Sequence, residues 1–280
     1  MTTLRGPLAR RVAGLACLIT CGCNHTVEPP LDPRAVPLSP PAVYARWWTM
    51  TEACSGLSGA FSHVNWYVVP GSADVSVNGD LVTGYYTAGD NKIVLAGEAI
   101  YDGGTVRHEI LHALRRRPGH SRADFLEHCG GVVNCSGNCV MDAGPLPPVD
   151  PGIARVSSAA LTVGVRVVPE HPTAAEDEGV FTIIVTARNP LPYPVLLDIA
   201  PGTMQSFSYR LTANIGGFGS AVPIRDPGVT RFAAGETKQQ LFDFVLGDTI
   251  QGFILSPGLY SITGGYDRNS VTNYGISIGP

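Results

Sequence analysis

His108-Glu109-Ile110-Leu111-His112 reads H-E-x-x-H. On a helix, two histidines four residues apart lie one turn above each other on a single face, so both imidazoles can reach one ion, and zinc suits such a pair. Glu109, next to the first ligand, is then free to take a proton from zinc-bound water, which makes it the candidate general base. A catalytic zinc takes three protein ligands and keeps a position open, so a third ligand must come from beyond the helix. The candidates are His120, Asp124, Glu127 and His128. The competing reading is a helix whose histidines only make surface hydrogen bonds.

These residues need a scaffold. Residues 101–117 predict the carrying helix, with Asp102 as N-cap and Pro118-Gly119 as stop. Residues 44–57 space Trp47, Thr51 and Cys54 as an amphipathic helix does, ending near Gly56 and Gly59. The runs 64–69, 80–87 and 92–95 are β-rich and separated by turn residues, with residues 92–95 as the candidate edge along which an extended substrate aligns. Cys129, Cys135 and Cys139 could hold a metal with a histidine, but Cys-x-x-Cys spacing is missing and export favours disulfides. Cys135 with Cys139 closes a small loop and leaves Cys54 for Cys129, although connectivity cannot be read from sequence. Arg115, Arg116 and Arg117 complement the dipole at a helix end.

The stretch HEILHALRRRPGHS resembles the zinc helix of the metzincin and matrixin peptidases, in which a glycine ends the helix and a third histidine follows. The resemblance implies zinc held by His108, His112 and His120, Glu109 as catalytic base, and an α+β zincin-like metallopeptidase domain over residues 42–148. His120 stands two residues farther from His112 than the pattern H-E-x-x-H-x-x-G-x-x-H places it. Pro118 breaks the helix and Gly119 tolerates a sharp reversal, so the longer turn can still bring His120 back. Another branch of zinc peptidases takes a glutamate from a later helix, which keeps Glu127 in play. Met141 is similar to the methionine that lies beneath the metzincin zinc, with ordinary core packing as the alternative.

After residues 144–152, rich in proline and glycine, short alternating segments such as FTIIVTA predict a second, all-β part over residues 155–280. With FAAGETKQQLFDFVL and LSPGLYSITGGY it resembles the bacterial immunoglobulin-like sandwich domains that include intracellular proteinase inhibitors.

Arg5, Arg10 and Arg11 precede the apolar run 12–20, as in a secretory signal spanning residues 1–22. Leu18-Ile19-Thr20-Cys21-Gly22-Cys23 resembles a bacterial lipobox, with Cys23, or else Cys21, as the lipidated residue; cleavage at Cys23 leaves an even set of four cysteines. Residues 23–41 then form a proline-rich tether, and the chain is expected outside the cytoplasm, lipid-anchored in the bacterial cell envelope or, with an ordinary cleaved signal peptide, secreted. A net charge of −4 with scattered cations leaves no surface for nucleic acid. The expected function is zinc-dependent hydrolysis of a peptide or protein substrate. The alternatives are zinc hydrolysis of another carbonyl substrate, or a non-catalytic surface lipoprotein that binds protein or glycan through its sandwich.

Overall fold

The computed structural model describes residues 29–280 except 143, 145–147, 149, 176, 198–205, 214–215, 224–230 and 268. The signal segment and both candidate lipidation sites, Cys21 and Cys23, lie outside the described residues. No helix among the described residues is long and apolar enough to cross a membrane.

The first half comprises β1 (Val36–Pro37), α1 (Val43–Ser55), β2 (Asn65–Val69), β3 (Val75–Val77), β4 (Asp80–Val82), β5 (Gly84–Thr87), β6 (Lys92–Ala96), α2 (Gly103–Arg115) and the short α3 (Asn138–Asp142). One face of α1 buries Val43, Tyr44, Trp47, Trp48 and Thr51 at helical spacing, and Gly56 ends the helix in the left-handed conformation at φ 68°. β3 and β4 form a hairpin over Asn78-Gly79, whose φ values of 53° and 95° are those a two-residue hairpin turn demands. The main sheet runs β1-β2-β6-β5, with β2 and β6 parallel and the other pairs antiparallel. All five residues of β6 are buried, so this strand is interior. The edge is therefore β5, not the run 92–95 that the sequence suggested; an unbroken apolar run is the pattern of a strand covered on both faces.

The second half is built of β7 (Ala154–Val156), β8 (Thr162–Val168), β9 (Val180–Arg188), β10 (Val195–Leu197), β11 (Ser206–Ala213), β12 (Gly216–Pro223), β13 (Arg231–Phe232), β14 (Thr237–Val245), β15 (Thr249–Ile250), β16 (Phe253–Ile254), β17 (Gly258–Tyr266) and β18 (Asn269–Ile278). Its two larger sheets, β14-β9-β8 and β12-β11-β17-β18, enclose a core that includes Phe181, Ile183, Val185, Phe242, Phe244 and Ile262.

The side chains of β9 and β14 that point away from this core cover the first half. Val180 and Val245 pack with α1 and α2, while Ile184 and Leu241 join Leu111, Phe125 and Cys129. Between them, Arg107 of α2, 1% exposed, reaches Asp243 of β14 at 2.7 Å. Thr182 of β9 donates to the same carboxylate at 2.7 Å, and Arg107 Nε donates to the Val132 carbonyl. At Gly131 the chain comes so close that a Cβ would lie 2.0 Å from the Gln239 carbonyl oxygen, and Leu241 N–H bonds to Gly131 O at 2.8 Å.

The expected α+β zincin-like domain followed by an all-β immunoglobulin-like sandwich is therefore corrected. The described residues form a β-rich fold of eighteen strands in six small sheets, with three α-helices and one π-helical turn, Ala123–His128. A motif of a dozen residues specifies one helix and not the layers around it. Between Arg115 and β7 the described residues form only the π turn and a five-residue helix, and strands β9 and β14 of the second half cover α2.

Among the described residues two disulfides are present, Cys54–Cys129 and Cys135–Cys139. The first ties α1 to the end of the π turn.

Candidate metal centre

The helix α2 begins where Asp102 accepts from the Thr105 N–H and hydroxyl. It ends at Arg116, which turns left-handed at φ 53° and sends the chain back along the helix. Arg116 makes this reversal, rather than Gly119, whose flexibility the sequence had suggested for it. Arg115 then braces the returning segment: its Nε pairs with Asp124 at 2.8 Å, its guanidinium lies 5.4 Å over the Phe125 ring, and it donates to the Gly119 carbonyl.

The result brings His120 onto the helix face of His108 and His112. Their three Nε2 atoms lie 3.1, 3.2 and 3.2 Å apart. Each Nδ1 faces an oxygen that only accepts: Asn134 O for His108 at 2.8 Å, Arg117 O for His112 at 2.9 Å, and a carboxylate oxygen of Asp142 for His120 at 3.2 Å. Each Nδ1 must therefore carry the proton, and in a neutral imidazole that leaves a lone pair on Nε2. Three lone pairs converge with no proton to place between them, an arrangement that a cation at the centre makes favourable. Nitrogens bound to one tetrahedral zinc at about 2.0–2.1 Å stand roughly 3.3–3.4 Å apart, close to the spacing found here. Desolvation, reinforced by the nearby His120, pulls His108 down to about 4, and desolvation likewise holds His112 well below the usual histidine range, so both are neutral in neutral solution.

The ring of Phe125 lies beneath all three, with centroids 4.8 to 4.9 Å from each imidazole. This is the floor for which Met141 was a candidate; Met141 is instead 71% exposed. Tyr86 of β5 lies parallel to His112 at 6.3 Å.

Glu109 is 4% exposed and its Oε2 has no hydrogen-bond partner among the described residues. Burial pushes its carboxyl up to about 8. Strand β5 passes directly over it, since a Cβ at Gly84 would lie 3.2 Å from Glu109 Cγ. Of the other candidate ligands, Asp124 is engaged by Arg115 and Ser121, while Glu127 and His128 are exposed and outside the cluster.

Sequence reasoning missed Asp142, Asn134 and Phe125, whose positions depend on the path of the loop. Asp142, the short polar residue directly after Met141, carried no signal of its own, because its partner lies 22 residues away. Metal-ligating histidines depend on such partners for orientation, so Asp142→Ala is expected to weaken zinc binding about 10- to 100-fold. Competition with a chromophoric chelator measures this; unchanged affinity would mean that Asp142 does not orient His120.

No family model matches the chain, and no curated protein matches it. Among solved structures, the alkylpurine DNA glycosylase AlkC of Pseudomonas fluorescens, bound to DNA containing an abasic-site analog, is similar over 43% of this chain and 31% of its own, at 11% identity and a TM-score of 0.29. The putative ApaA protein of Bordetella pertussis is similar over 41% of this chain and 80% of its own, at 18% identity and a TM-score of 0.21. Likenesses this weak carry no argument about fold or activity.

Proposed function

We propose that this protein is a zinc-dependent hydrolase of peptide bonds in which His108, His112 and His120 hold the metal and Glu109 is the general base. The observation that carries the reading is the convergence of three Nε2 lone pairs, each fixed by a proton acceptor at Nδ1. When bound, zinc lowers the pKa of water toward neutrality and polarises a carbonyl.

The chain supplies the rest. The burial of Glu109 and its unpartnered oxygen support the role of a base that accepts a proton and passes it to the leaving amine. Phe125 and the three Nδ1 partners hold the rings in place before any ligand arrives, which lowers the ordering cost of binding. Among the described residues strand β5 has one neighbour in its sheet, β6; it passes Glu109 at Gly84 and carries Tyr86, whose ring lies parallel to that of His112. An extended peptide adding to its free side would place its backbone along the site by strand addition. The two disulfides support an extracytoplasmic setting, with Cys23, or else Cys21, as lipid anchor.

The deciding experiment measures zinc in the purified full-length chain and in His112→Ala, together with cleavage of a peptide library. About one zinc per chain is expected, lost in the variant. Cleavage should stop on chelation and return with added zinc. A chain that takes up no zinc even when it is supplied overturns the reading and turns attention to the sheets as a binding module. Zinc uptake with cleavage only of non-peptide carbonyl substrates would reassign the substrate.

A further inference from the structure

Cys139 takes no part in the reading above, yet its Sγ lies within 4.8 Å of ring nitrogens of both His108 and His120 and is buried. Its disulfide partner Cys135 is four positions earlier and more accessible. The loop that carries this disulfide is the one that holds the metal cluster, since Asn134 O accepts from His108 and Asp142 accepts from His120. A tetrahedral metal on three histidines leaves one position open, and a thiolate is among the strongest groups that could take it. A cystine sulfur offers no thiolate. The other disulfide packs with Phe125 beneath the cluster and is not part of it.

Resting on the zinc reading, we propose that Cys139 is a redox-gated fourth ligand: as cystine with Cys135 it leaves the site open, and as a free thiolate it closes the site. The reductant is a dithiol. One of its thiolates attacks Cys135 Sγ, the more accessible sulfur; the Cys135–Cys139 bond breaks and Cys139 leaves as a thiolate, which would hold the metal beside the histidines. The second thiol of the reductant then attacks the mixed disulfide, releasing Cys135, which takes up the proton. The net change is two electrons: one protein disulfide is reduced and one dithiol is oxidised. A chain made in a reducing compartment would carry a closed site, and oxidation after export would open it.

Cobalt(II) in place of zinc tests this, because sulfur ligation adds a near-ultraviolet charge-transfer band that nitrogen ligation lacks. The full-length protein is compared with Cys135→Ser, which frees Cys139, and Cys139→Ser, which frees Cys135. Both variants lose the same bridge, so any purely structural effect is common to them. The band is expected in Cys135→Ser alone, with loss of peptide cleavage there and retention in Cys139→Ser. Dithiol treatment of the unaltered protein should produce the same band without any substitution. Cobalt bound by all three with no sulfur band in Cys135→Ser or in the reduced protein overturns the gating and leaves the histidine site standing. Cobalt bound by none of them overturns the zinc reading itself, and the gating with it.

Discussion

Glu109→Gln is expected to lower kcat/KM about 10²–10⁴-fold while the protein keeps its zinc, the range that a positioned general base supplies. Glutamine matches the carboxylate in shape but cannot accept the proton. Oε2 has no hydrogen-bond partner among the described residues and the side chain is 4% exposed, so the substitution removes no hydrogen bond from that oxygen. A buried carboxylate without a hydrogen bond carries a desolvation penalty, so its removal should not destabilise the metal-free chain. Activity and stability should thus part company, with turnover falling while the denaturation midpoint holds or rises. Steady-state kinetics, zinc content and urea unfolding on the same preparation read all three. Unchanged turnover would remove Glu109 from the mechanism, and zinc loss alongside activity would make it a determinant of the metal site instead.

Asp243→Ala is expected to cost about 3–5 kcal/mol of folding stability, the range for stranding one member of a buried ion pair. Arg107 is 1% exposed, and without Asp243 its guanidinium keeps, among the described residues, the Val132 carbonyl and the Trp47 ring, 5.7 Å away. Against a total of about 5–15 kcal/mol for a typical domain, this is a large fraction. Replacing both partners with apolar residues, as in Arg107→Met with Asp243→Leu, should recover most of the loss, because the penalty lies in the uncompensated charge. Urea unfolding of the single and double variants decides the matter; a single variant as stable as the parent would show that the pair carries no weight. Since Arg107 precedes His108 on α2, any weakening here should also appear in zinc affinity.

The parts of this structure that were legible in the sequence are those governed by neighbours along the chain. Asp102 before the helix, Gly56 after α1 and Asn78-Gly79 in a hairpin act within one turn, and their conformations follow from local sterics. The return of His120 was legible as reach, though not its route, because Arg116 turns the chain where a glycine was expected. What surrounds α2 was not legible. In β14 the order Leu241, Phe242, Asp243, Phe244, Val245 alternates between two faces, the two phenylalanines entering the sheet core and the other three facing α2 and its neighbours. That alternation was visible as strand, but a strand pattern does not name what lies on each side. The run FTIIVTA of β9 gave a firmer hint, since consecutive apolar residues mark a strand buried on both faces. Taken as the core of an independent sandwich, that second face had no occupant, and nothing in the sequence named α2 as the element it covers.

The ion pair between Arg107 and Asp243 spans 136 positions of the chain. A ribosome adding about 5–20 residues per second takes on the order of ten seconds to make that length, and through this interval α2 has emerged while its cover has not. During that time the guanidinium stays in water and Leu111 has neither Ile184 nor Leu241 against it. The helix is thus finished early in synthesis, and its apolar cover arrives only once β9 and β14 have been made.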